Sequence, residues 1–267
     1  MHNDVNTLFS KLWDRYVAIT PSAPKIRALL GFGEVDNLFN DHIALRTFDI
    51  QRIGLDKLAE HFKSLGYYEA GEYHFKEKKL FAKHFLHADT SLPKVFISEL
   101  LTTEFSTQLQ GIIKNLVSQI SDKNVVAKDF LYSGRHWDID YSTYQTLLQE
   151  SEYAAWVAAW GFLPNHFTLS CNHLNKFASL QALNSAVKDH GFELNTAGGE
   201  IKGTEALYLE QSSTLADFSA VSFTDGAKLI PSCFYEFAQR YPDIDKNLFT
   251  GFVAASADKI FESTDQR

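Results

Sequence analysis

The sequence predicts an α+β fold in which two pseudo-symmetric strand-helix-strand modules build one incomplete, barrel-like sheet, with an N-terminal helix and a helical insert. Three observations carry that expectation. The stretch Asp41-His42-Ile43-Ala44-Leu45-Arg46 returns in altered form as Asn165-His166-Phe167-Thr168-Leu169-Ser170, its histidine 124 positions further on. Each copy is followed by an amphipathic segment that stops at a Gly-aromatic pair, Gly66-Tyr67 and Gly191-Phe192. Each half then passes through short strand-like runs to a last strand with one carboxylate, Glu99 in residues 95–100 and Glu236 in residues 233–237. A unit of this size used twice implies internal pseudo-symmetry, not a solenoid.

Taken in order, residues 3–20 carry apolar side chains at Val5, Leu8, Phe9, Leu12, Trp13, Tyr16 and Val17, the stripe of a helix packed as a cover on the sheet, and Thr20-Pro21 ends it. The chain reads as a single domain, 1–267, with a first module over 25–106. Its opening stretch alternates as a half-buried strand, so His42, Ala44 and Arg46 share one face. Leu55, Leu58, Ala59, Phe62 and Leu65 then mark a helix. The insert, 107–162, offers a helix near 109–120, a loop with Arg135-His136-Trp137-Asp138, and a helix over about 142–160 in which Trp156 and Trp160, one turn apart, pack the core. Arg135 and His136 either reach a substrate or cap and bridge locally. In the second module, 163–250, His166, Thr168 and Ser170 share a strand face, a helix covers 180–190, and a strand-like run at 206–211 carries Glu210.

Composition narrows the function. With 25 basic against 33 acidic residues the net charge is −8, and the densest basic run, Lys76 to Lys83, is broken by Glu77, which argues against a nucleic-acid partner. Cys171 and Cys233 have no paired spacing, so neither a disulfide framework nor a zinc knuckle is expected, and reducing cytoplasm is the expected compartment. The longest apolar run, near 154–163, is too short to span a bilayer, and no membrane partner is expected. Oligomeric state is not legible.

Two histidines on equivalent strands and a carboxylate on a last strand match the two-His-one-carboxylate triad that holds iron(II) on one face and leaves other positions open. Neutral imidazoles and one carboxylate leave a divalent ion with a net charge of about +1, suited to an anionic chelating substrate and to dioxygen. His42, His166 and Glu236 are the expected ligands, Glu236 being preferred for its aromatic neighbours Phe234, Tyr235 and Phe237. Glu99 and Glu210 stay open as carboxylates, and a His2Glu2 site with Glu99 would suit isomerase, lyase or hydrolase chemistry. A protein that only binds a small ligand is a further alternative. Arg46, two side chains along from His42, is placed to grip a substrate carboxylate, or else is the buried partner of Glu99 or Glu236.

The residues Asp41-His42-Ile43-Ala44-Leu45-Arg46-Thr47-Phe48, Asn165-His166-Phe167-Thr168 and Phe234-Tyr235-Glu236-Phe237 resemble the DUF1338 family, associated with 2-oxoadipate dioxygenase/decarboxylase activity. The doubled module also resembles the vicinal oxygen chelate fold. The likeness covers roughly residues 25–250, although the chain is shorter than the characterised bacterial type. It implies Fe(2+) on His42, His166 and Glu236, with Arg46 holding the substrate. It also implies oxidative decarboxylation of a 2-oxo acid, 2-oxoadipate yielding 2-hydroxyglutarate and carbon dioxide, with dioxygen as the second small-molecule partner.

Overall fold

The computed structural model describes residues 1–31 and 38–264. Two helices, α1 (Val5–Val17) and α2 (Ser22–Gly31), precede the first half: β1 (Asn40–Phe48), α3 (Leu55–Lys63), β2 (Tyr68–Phe75), β3 (Leu80–Leu86) and β4 (Lys94–Leu100). The helices α4 (Thr107–Ser118), α5 (Asp122–Val125), α6 (Tyr141–Glu150) and α7 (Glu152–Trp160) follow. The second half is β5 (Pro164–Ser170), α8 (Leu180–Asp189), β6 (Lys202–Thr204), β7 (Leu209–Ser213), β8 (Phe218–Phe223), β9 (Gly226–Pro231) and β10 (Phe234–Arg240), and α9 (Ala254–Ile260) runs into a tight turn, Phe261–Thr264.

Eight strands form one sheet in the order β2-β3-β4-β1-β5-β10-β7-β6, while β8 and β9 make a separate hairpin. β1 pairs antiparallel with β5, setting His42 opposite Thr168 and Ala44 opposite His166. On either side of that seam the pairing is parallel, β1 with β4 and β5 with β10. A two-fold operation about the seam therefore carries β1 onto β5, β4 onto β10, β3 onto β7 and β2 onto β6. Parallel neighbours need a long crossover, which the helix and intervening strands of each half supply.

The expectation of half-buried strands needs correction: β1 is buried from Asp41 to Phe48 and β5 along its whole length. One face is covered by α1, as expected, with Trp13 edge-on to Phe167 at 5.0 Å and the Tyr16 hydroxyl donating to the Phe234 carbonyl at 2.6 Å. The other face is concave and is covered by the segment around Phe252, Ile260 and Phe261.

The helix expected over 142–160 is two helices. Ser151 is extended, at φ −154° and ψ 110°, and its hydroxyl accepts from the Ala154 N–H as the N-cap of α7. A serine that caps offers the backbone a better partner than a continued helix does. α7 then closes the end of the sheet where β1 stops and β5 and β10 begin. Trp156 and Trp160 pack in the core and donate their indole N–H groups to the Ser232 and Pro231 carbonyls.

Gly161 ends α7 at φ +71° and ψ −139°, and a Cβ there would lie 2.4 Å from the Gly134 carbonyl oxygen. That close approach permits the bridge in which Gly134 and Phe162 exchange backbone hydrogen bonds of 2.9 and 3.0 Å. Gly161→Ala is expected to destabilise the protein by ~2 kcal/mol or more, read as a lowered denaturation midpoint.

Candidate metal centre

Three strands bring one donor each to the concave face at the seam. His42 comes from β1, His166 from β5 and Glu236 from β10, and one ligand atom of each lies within 4.8 Å of the others. Register accounts for the grouping. Glu236 sits beside Thr168 on β5, two residues beyond the level of His166, and Thr168 in turn faces His42. The His42 and His166 rings stand nearly perpendicular, 5.6 Å apart. The carboxylate spans both: Oε1 is 3.4 Å from His42 Nε2 and Oε2 is 3.3 Å from His166 Nε2.

The residue before each histidine fixes its ring. Asp41 Oδ1 is 2.8 Å from His42 Nδ1, and Asn165 Oδ1 is 3.1 Å from His166 Nδ1. Each Nδ1–H donates to an oxygen and each Nε2 lone pair turns inward, the tautomer a metal requires. Asp41 is gripped in turn by Arg240 of β10, whose Nε and Nη2 donate at 2.7 and 2.9 Å. Burial opposes ionisation of Asp41, but the Arg240 and Lys94 charges, with hydrogen bonds from His42 and Arg240, hold its carboxyl well below the usual range. Burial also lowers the pKa of both histidines, well below the ordinary value for His166, so both are neutral near pH 7.

Glu236 is fully buried and its desolvation pushes the carboxyl up to about 8, against the opposing hydrogen bond from Gln211 Nε2 at 2.6 Å and the charges of Arg240 and Lys202. Among the described residues its Oε2 has no hydrogen-bond partner, nor do Asn165 Nδ2, Gln211 Oε1 and Arg46 Nε, all buried around the same cavity. Buried polar atoms are normally satisfied, and four unsatisfied ones converging on one cavity fit a site built for a cation and a polar ligand. A divalent ion supplies the positive charge that the buried carboxylate lacks.

The pseudo-symmetry also shows where no ligand stands. Thr168, beside Glu236, corresponds to Ala44, and the β4 residue beside Ala44 is Phe96. The counterpart of Glu236 is thus Phe96, which lines the cavity. Glu99 is paired with Thr47, out of phase with His42, and its Oε2 accepts from the Leu55 N–H at 2.8 Å at the start of α3. The His2Glu2 arrangement with Glu99 is therefore corrected. Glu210 accepts from the Tyr241 hydroxyl at 2.8 Å and does not belong to the cluster. Arg135 donates to the Ala159 carbonyl of the insert and to the Ser222 carbonyl on β8, and His136 bonds to Asn124 and Ser133, so both take bridging roles, His136 within the insert and Arg135 between it and the second half.

Arg46 does line the cavity and is 1% exposed. Neither Glu99 nor Glu236 is its partner. Its Nη1 reaches Glu152 at 3.4 Å and its Nη2 donates to Thr264 Oγ1 at 3.1 Å, with Tyr153, Trp156 and Phe261 rings against the guanidinium. The residues that sequence reasoning missed are Arg240, Gln211 and the covering Phe252, Ile260 and Phe261. Asp41 and Asn165 stood beside the histidines as the only signal of the outer hydrogen bonds.

The sequence profile of the 2-oxoadipate dioxygenase/decarboxylase family matches residues 30–249. This chain belongs to that family. A rice relative named 2-oxoadipate dioxygenase/decarboxylase, chloroplastic/amyloplastic, is 36% identical over 97% of this chain and 78% of its own, and an Arabidopsis thaliana relative is 35% identical over 94% and 75%. The crystal structure of hydroxyglutarate synthase from Oryza sativa, in complex with 2-oxoadipate, superposes with a TM-score of 0.90 at 36% identity, covering 97% of this chain and 91% of that one. A Shewanella frigidimarina protein provisionally described as a hydrolase superposes at 0.92 with 56% identity, over 96% and 100%. A glyoxalase-superfamily protein from Ralstonia eutropha, at 0.65 and 20% identity over 91% and 83%, shares the fold. The fold is the vicinal oxygen chelate type, and the family is one of enzymes. Among the described residues no helix is long and apolar enough to cross a membrane.

If Asp41 orients His42, Asp41→Asn should weaken divalent-metal affinity by ~10- to 100-fold while the fold persists. Titration with a coloured ion such as cobalt(II), beside circular dichroism, measures both.

Proposed function

We propose that this chain is an iron(II)-dependent oxygenase that oxidatively decarboxylates a 2-oxo dicarboxylic acid, with 2-oxoadipate the first candidate. The observation that carries the reading is the buried His42, His166 and Glu236 set with Phe96, and no fourth ligand, at the position symmetry-related to Glu236. Family membership and the 2-oxoadipate complex of the rice enzyme supply the substrate class. For that acid the conversion takes up dioxygen and yields 2-hydroxyglutarate and carbon dioxide.

Held by His42, His166 and Glu236, an iron(II) ion would offer open positions to a chelating 2-oxo acid and to dioxygen. The remaining work falls to this chain's side chains. Asp41 and Asn165 keep both Nε2 atoms unprotonated and aimed inward, and Gln211 holds the Glu236 carboxylate by one oxygen, leaving the other free. Arg46 keeps its Nε–H unused, so its fork receives a substrate carboxylate once Thr264 yields. Phe96, Phe252 and Phe261 exclude water.

The cavity holds only about 20 Å3, room for an ion or a water, whereas small-molecule sites run to roughly 300–1,000 Å3. Substrate entry therefore displaces part of the covering segment. A redox-inert hydrolase or isomerase would need no dioxygen, which makes the assay decisive. Wild-type protein with iron(II) and 2-oxoadipate should consume dioxygen and form 2-hydroxyglutarate by mass spectrometry, and equal turnover under anaerobic conditions would overturn the oxygenase reading.

His42→Ala and His166→Ala should each abolish stoichiometric iron binding with the fold retained, and Glu236→Gln should weaken iron and stop turnover. Arg46→Lys should keep iron but raise the apparent substrate constant by ~10- to 100-fold, since an ammonium lacks the planar fork. A lowered melting temperature with unchanged substrate affinity would assign Arg46 to structure instead.

A further inference from the structure

The concave face continues beyond the metal cavity. On β4, Phe96 lines that cavity, while Lys94, two residues earlier and so on the same face about 7 Å along, lines a second cavity of about 520 Å3. Asp41, whose carboxylate orients His42, borders the outer space. Phe252 stands between the two. Its ring is edge-on to His42 at 4.8 Å and packs on Phe96 at 5.0 Å, with the Arg240 guanidinium 5.2 Å from its centre. The preceding Leu248, Phe249 and Thr250 wall the outer cavity.

Charge decides what the outer cavity receives. Arg240 neutralises Asp41 through two short bonds. The Lys94 ammonium is 3.9 Å from Asp41 Oδ2, beyond hydrogen-bond reach, and its side chain is 17% exposed. The three groups sum to one net positive charge, carried by an ammonium with donors to spare. A carboxylate is the natural complement. The volume lies in the range of small-molecule sites, unlike that of the metal cavity.

We propose that the outer cavity is a carboxylate-binding station centred on Lys94, where a dicarboxylic acid docks beside the metal centre with Phe252 as the partition between them. The station rests on the proposed function for the identity of its physiological ligand, a 2-oxo dicarboxylate on its way to iron. Docking of the carboxylate itself needs neither metal nor turnover. A merely structural Lys94, a second counter-charge for Asp41, would affect stability without conferring any dicarboxylate binding.

Glutarate, a dicarboxylate without the chelating 2-oxo group, tests this by calorimetric titration of metal-free protein. Wild type should bind saturably, Lys94→Met should bind at least ~10-fold more weakly, and Lys94→Arg should recover most of the affinity. Thr250→Glu, which adds a negative charge to the cavity wall, should weaken binding similarly and serves if Lys94→Met proves unstable. Absence of glutarate binding by wild type would overturn the station, as would undiminished, wild-type affinity in both Lys94→Met and Thr250→Glu. Loss of binding in Arg46→Met, with none in the Lys94 variant, would place the acid in the inner cavity and also overturn it. Lys94-dependent binding in a protein that turns over no 2-oxo acid with any metal would sustain the station and sink the oxygenase reading.

Discussion

The antiparallel seam between β1 and β5 governs the molecule, because its register sets which side chains from the two halves meet. With His42 opposite Thr168 and Ala44 opposite His166, the two imidazoles lie diagonally across the pseudo-two-fold. A slip of one residue would turn one histidine to the opposite face. The parallel pairing of β10 on β5 extends the constraint to Glu236. Each proposed ligand thus rests on backbone hydrogen bonds of a sheet buried on both faces, a rigid support for side chains that must converge.

Burial sets the electrostatics. A carboxylate with no exposure, up at about 8, is stable only where something compensates it, and within the cluster the histidines are neutral and Gln211 satisfies one oxygen. Asp41 presents the contrasting solution, since the Arg240 fork lets it stay ionised in an equally buried place. Two buried acids on one face therefore take opposite states, one closed by a protein cation and one left open to a foreign one. That contrast separates the group that orients a proposed ligand from the group proposed to be one.

Much of this was legible in the chain. The repeat, the shared strand face of His42, Ala44 and Arg46, and the paired helices ending at Gly66 and Gly191 follow from local periodicity, and the structure has them. Glu99 and Glu236 looked equivalent because both close a module, yet phase distinguishes them, and phase depends on pairing that no local pattern reveals. The Asp41–Arg240 pair joins positions 199 residues apart. Phe252 and Phe261 belong to a stretch with no counterpart in the repeat, so their cover over the cavity is a tertiary fact. The break at Ser151 was available from capping chemistry, since Ser151-Glu152 offers an N-cap inside an otherwise helical run.

The three donors at positions 42, 166 and 236 come from both halves of the chain. An ion held by all of them is a cross-link closing loops of 124 and 70 residues, the longer of which contains the whole insert. The entropy of closing such loops grows only slowly with length, so a clamp at this seam restrains most of the polypeptide at little more entropic cost than a short one would carry. Such ligation would tie the halves into one cooperative unit: neither could open alone without surrendering the ion, and resistance to unfolding would become a function of metal supply.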